Sequence, residues 1–146
     1  MIHLPRLCNC MVAIALSATA IAASAVEAWA NPRIDLLDAG IMEKVPAKPR
    51  LLETVVPALI RIDTDEPIRI SVTAPALAHG PDSDPRGTER QIVIRQGGRR
   101  VRRTAGNRLL DIPAGTTDLE VSMQVERPQD FLPGRYIYQF DVVVSD

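Results

Sequence analysis

From residue 51 to the C-terminus, apolar and polar side chains alternate with a period of two, which places every second residue on one face of a strand. Ile68, Ile70, Val72 and Ala74 oppose Arg69, Ser71 and Thr73, and Leu119, Val121, Met123 and Val125 oppose Glu120, Ser122, Gln124 and Glu126. Strands with one dry and one wet face are those of antiparallel sheets. Shorter alternating runs cover 52–56, 59–63, 91–96, 99–104 and 108–112, and a last, longer run begins at Arg135 and reaches Ser145. The punctuation agrees with this rhythm. Gly97-Gly98 supplies the positive backbone angles of a two-residue hairpin, so 91–104 reads as a hairpin. Asp65-Glu66-Pro67, Pro113-Ala114-Gly115 and 128–134 break the other runs, and 79–88 is the longest loop. Short strands at such intervals predict an all-β chain, a β-sandwich of seven or eight strands.

The segment 31–50 lacks this rhythm. A short helix over 34–44 is limited by Gly40, Pro46 and Pro49, so an extended N-terminal arm leading to a sandwich at 51–146 is the expectation. Such an arm could complete a neighbour's sheet by strand addition, but Leu36-Leu37 and Ile41-Met42 are adjacent pairs and not an alternating strip. Residues 1–30 have a different character. One basic residue, Arg6, precedes the uncharged run from Met11 to Val26, and Ala28-Trp29-Ala30 stands before Asn31-Pro32, the layout of a cleaved signal peptide. Ala23-Ser24-Ala25 is a second acceptable cleavage site. The apolar run is shorter than the about 20 residues a membrane-spanning helix needs. The expected protein is therefore exported, periplasmic or extracellular, with no membrane span after cleavage. Cleavage removes Cys8, Cys10 and Trp29, leaving no thiol and no disulfide.

After the leader, the aromatic residues are Phe131, Tyr136, Tyr138 and Phe140, and the last three share one face of the final strand with Val142 and Val144. They read as core, each burying about 150–250 Å², with sugar stacking as the rival use. Pro133-Gly134-Arg135-Tyr136 followed by this alternation resembles the closing pattern of bacterial exported immunoglobulin-like sandwiches, including spore coat U-like and fimbrial subunit-like proteins. The resemblance covers 109–146, and the remainder only by strand rhythm. It implies an immunoglobulin-like sandwich and a coat- or fimbria-like subunit of the cell envelope.

Candidate chemistry is sparse. The formal net charge is −1, unchanged by loss of Arg6 and Glu27, and argues against nucleic acid as a partner. His79 is the one histidine after the leader and reads as a loop residue. No nucleophile, metalloprotease or phosphate-loop pattern occurs, so no catalytic residue, metal or cofactor is assigned. Asp63-x-Asp65-Glu66 and Asp82-x-Asp84 put oxygens in turns, where they could hold calcium or bond to nearby backbone amides. Neither has EF-hand spacing. The denser cluster is basic: Arg90, Arg95, Arg99, Arg100, Arg102, Arg103 and Arg108 surround Gly97-Gly98, with no acidic residue between Arg90 and Asp111. Arg95, Arg99, Arg100, Arg102 and Arg103 form a candidate anion-binding site for envelope polysaccharide, since guanidinium matches planar anions. A charged hairpin also guards a sheet edge against pairing with other chains. The reading is a non-catalytic structural or interaction protein that binds protein partners or itself through a sheet edge. The alternative is a module for anionic glycans on the Arg hairpin.

Overall fold

The computed structural model describes residues 32–104 and 108–145, with backbone alone for 99–104 and 108. The proposed leader, residues 1–30, lies outside the described residues. Among the described residues the chain is all-β: β1 (Arg33–Asp38), β2 (Ile41–Lys44), β3 (Leu51–Val56), β4 (Ala58–Thr64), β5 (Ile68–Val72), β6 (Ala76–His79), β7 (Glu89–Gln96), β8 (Arg99–Thr104), β9 (Arg108–Ile112), β10 (Gly115–Glu126), β11 (Ile137–Gln139) and β12 (Val142–Ser145). All the pairings are antiparallel.

Several of these strands are halves of longer ones. Opposite β10, the ladder runs Gln124 to Glu53 in β3 and Val121 to Ala58 in β4, so Ser122 and Met123 face the whole stretch 54–57. Pro57 cannot donate to a ladder. Thr54 mends the gap, its hydroxyl accepting from Met123 N at 2.7 Å and donating to Met123 O at 3.0 Å. The break before Pro75 is mended in the same manner: between β5 and β6, Thr73 N donates to Asp141 O and Thr73 Oγ1 accepts from Asp141 N. The described residues thus hold more strands than the seven or eight expected: β1 and β2 fall in the segment read as an arm, β6 falls outside the expected runs, and the expected last strand is divided into β11 and β12.

Two layers result. The larger runs from a β1–β2 margin through β4–β3, β10 and β7 to a β8 margin, and the smaller comprises β12–β5–β9 and β11–β6. The chain passes between the layers at β4 to β5, β6 to β7, β8 to β9, β9 to β10 and β10 to β11. Inward residues of both layers meet in one apolar cluster, including Ile60, Ile62, Leu119 and Val121 from the larger and Ile70, Ile112, Tyr138 and Phe140 from the smaller. This is a sandwich-like arrangement.

The segment expected as an extended arm is extended, and it is paired. β1 lies on β4 and β2 on β3, so 33–64 forms one bent hairpin closed by the turn at Val45 to Leu51. The adjacent apolar pairs that obscured its alternation coincide with irregularities in register, between Leu36 and Asp38 and between Ile41 and Met42. An extra residue in a strand puts neighbours on the same side and destroys a period-two reading. The hairpin at Gly97-Gly98 is as expected: both glycines have positive φ, 54° and 76°, and Gln96 pairs with Arg99. His79, expected in a loop, closes β6 opposite Ile137.

Candidate functional site

The inward row of β10 is Thr117, Leu119, Val121, Met123 and Val125, and the next residue in that parity is Arg127, whose side chain is 0% exposed. A buried guanidinium requires anions and acceptors around it. The loop between β6 and β7 brings them. Arg127 Nε donates to Asp84 Oδ1 at 3.0 Å, and Nη1 donates to Asp82 Oδ1 at 2.7 Å. Nη2 lies 2.8 Å from the same Asp84 oxygen, off the hydrogen-bonding direction. The final strand region contributes the tyrosine hydroxyls: Tyr138 donates to Asp84 Oδ1 at 2.7 Å, and Tyr136 lies 3.0 Å from Asp82 Oδ1. Arg90 of β7 completes the group, with Nε and Nη2 donating to Asp84 Oδ2. The guanidinium of Arg127 also stacks on aromatic faces, its Cζ 4.3 Å from the Phe131 ring centre and 4.8 Å from that of Tyr136.

Local geometry lets the loop come this close. A Cβ on Gly80 would stand 2.8 Å from Tyr136 Cδ1, so glycine is needed for the loop to lie on that ring. From the other side, Arg127 N donates to Arg50 O and Phe131 N to Pro49 O, tying the segment after β10 to the turn of the long hairpin. The cluster thus joins the long loop, the end of β10, β7 and β11.

Electrostatics make it a mutually dependent set. Burial pushes the Asp82 carboxyl up, but the hydrogen bonds from Arg127 and Tyr136 outweigh it and hold the group below the usual carboxylate range. Burial also works against the charge of Arg127, yet its bonds to Asp82 and Asp84 raise its pKa above the ordinary arginine value. Burial, then the bond to Asp82, pushes the Tyr136 hydroxyl up to about 12, and burial with the bond to Asp84 raises that of Tyr138 as well. The oxygens that sequence offered as calcium donors in Asp82-x-Asp84 are therefore turned toward two guanidinium groups, whose charge repels a cation. The arrangement is a structural clasp that fastens a loop to the core.

The candidate anion site is distributed differently. Arg95 stands on the outer face of β7, its Nη1 4.0 Å from Glu120 Oε2 on β10. Arg90 belongs to the clasp. Arg99, Arg100, Arg102 and Arg103 lie on β8, opposite Gln96, Arg95, Ile94 and Val93 in backbone register, and their side chains fall outside the described residues. Of the arginines that sequence grouped with this hairpin, Arg90 is held by Asp84, six residues before it, and Arg95 approaches Glu120 of β10. Arg127 was not singled out, although a charged residue continuing the apolar row 119–125 was its visible sign. Compared with protein families, curated proteins and solved structures, the chain gives no match.

Proposed function

We propose that this chain is an exported, immunoglobulin-like sandwich that works without catalysis as a structural or interaction protein of the cell envelope, in the manner of a coat- or fimbria-like subunit. The leader-like residues 1–30 support export to the periplasm or beyond. Two antiparallel layers, repeated passage between them and the Tyr136 hydroxyl 3.2 Å from the Leu132 carbonyl, as in a tyrosine corner, support the immunoglobulin-like reading. The observation that carries the functional reading is the use of the most chemically suggestive groups. Asp82, Asp84, Tyr136 and Tyr138 are spent on holding Arg127, while apolar Leu37 and Ile41 are exposed on a sheet margin, with exposed Val55 and Val56 on the strand behind it. Binding through a sheet edge uses such margins. The rival glycan reading keeps Arg99, Arg100, Arg102 and Arg103 but shares Arg95 with Glu120.

Expression of the full chain in a bacterial host tests both parts. Export predicts a shortened product outside the cytoplasm, with a new N-terminus near Asn31. The purified product then self-associates in low and high salt alike. A product that stays in the cytoplasm at full length contradicts export. Retention on an anionic polysaccharide that salt abolishes, without self-association, would favour the glycan module.

A further inference from the structure

The two margins of the larger layer are built to opposite rules. Four arginines in the six-residue β8 set like charges against one another whenever a second β8 approaches, which is a known guard against edge pairing. Among the described residues β1 pairs only with β4 and β2 only with β3, so their outer margin is open. At its middle stand the exposed apolar side chains Leu37, 47% exposed, and Ile41, and on β3, the strand behind, Val56 pairs with Ile41 beside exposed Val55.

We infer that a second copy of this chain docks on the β1–β2 margin, antiparallel about a two-fold axis at Asp38. The inference rests on the proposed self-association through a sheet edge and names the edge. About Asp38 the ends of the margin are complementary, while Asp35 meets Ile41 and Asp38 meets its own copy. In that alignment exposed Arg33, whose Nε lies 2.8 Å from Asp35 Oδ2 of its own strand, meets Glu43 of the second copy, and core-facing Ile34 meets Met42, so opposite charges face each other at each end and inward residue opposes inward residue. The two-fold axis repeats each contact. At the centre, each Asp38 carboxylate already accepts from its own Gly40 N at 3.0 Å, which turns it back onto its own strand. Leu37 and Ile41 of both copies would lie around the axis and leave water together. β8 fails the same test, because its only charges are alike.

Sedimentation velocity on the full chain, expressed and processed by the host, reads the outcome directly. The wild type is expected to dimerise in a concentration-dependent way, and Leu37→Lys or Ile41→Lys to weaken the dimer on the order of tenfold or more, since each places a charge in the desolvated centre. Arg33→Glu should weaken it similarly, and Arg33→Glu with Glu43→Arg should restore it. That restoration is a readout that misfolding cannot imitate, and circular dichroism with a melting curve confirms the fold of each variant. A dimer indifferent to all of these changes overturns the β1–β2 assignment while leaving self-association standing. A wild type that is monomeric at every concentration overturns both, including the case in which residues before Pro32 cover the margin.

Discussion

Arg127 and Arg61 hold aspartates through comparable two-point grips in opposite surroundings. Arg61 donates from Nε and Nη2 to the two oxygens of Asp118, at 2.8 and 2.9 Å, on the outer face of the larger layer, where both side chains are more than two-fifths exposed. The pair is a cross-strand neighbour in the β4–β10 ladder, and its hydrogen bonds shift Asp118 down and Arg61 up. Water competes for every one of those bonds. Arg127 has no water to return to, and its carboxylates come from a loop far away in sequence. A two-point grip on one aspartate therefore decorates a face in one place, and a two-point grip shared between two aspartates holds a structure together in the other. Distance alone does not reveal this difference; desolvation does.

The largest effect should follow from Arg127→Met, which takes from Asp82 its arginine partner and leaves Asp84 to Arg90 alone. A loss of about 3–5 kcal/mol in chemical denaturation is expected, with faster amide exchange over 80–88. If Arg127→Met costs no more than a surface substitution, the clasp is not a unit. Tyr138→Phe removes one hydrogen bond to a buried charge and should cost about 1.5–3 kcal/mol. Adding it to Arg127→Met should give less than the sum of the two costs, because both act on Asp84.

Acid probes the same centre through Asp82. Its folded pKa is depressed, so its contribution is complete above the unfolded carboxylate value near pH 4 and is lost as pH falls through the lower folded value. Stability should therefore fall below about pH 4, and Asp82→Asn should flatten that fall. At the alkaline end the sign is reversed for Tyr136: its contribution is present below pH 10.0 and lost as pH rises toward about 12, readable as delayed tyrosinate absorbance. Smallest of all is Arg61→Ala, expected to cost about 0–1 kcal/mol and to shrink further in high salt. A larger loss there would erase the contrast between the two arginines.

Much of the strand pattern was legible because alternation is a property of neighbours. The expected runs 91–96 and 99–104 correspond to β7 and β8, and 108–112 to β9. The run 119–125 was too short at its start, since Thr116 and Asp118 have polar side chains and are strand only because β4 supplies partners for them. The final run was too long as a single strand, interrupted around Phe140 and Asp141 where Thr73 takes over the hydrogen bonding. β1 and β2 were missed as strands because their irregular register sits on the apolar pairs that would have announced them.

Residue order by itself determined that the chain is strand-rich, where most turns fall, that Gly97-Gly98 closes a hairpin, and that the final aromatic face turns inward. Each of these follows from the geometry of a few adjacent residues, with side chains forced to alternate and glycine allowed a positive φ. Tertiary structure alone decided which arginine is buried, which aspartates neutralise it, and which apolar side chains of 33–56 remain exposed. Those outcomes depend on desolvation and on partners contributed by distant segments, as when Asp82 and Asp84 reach Arg127, and no local pattern contains them.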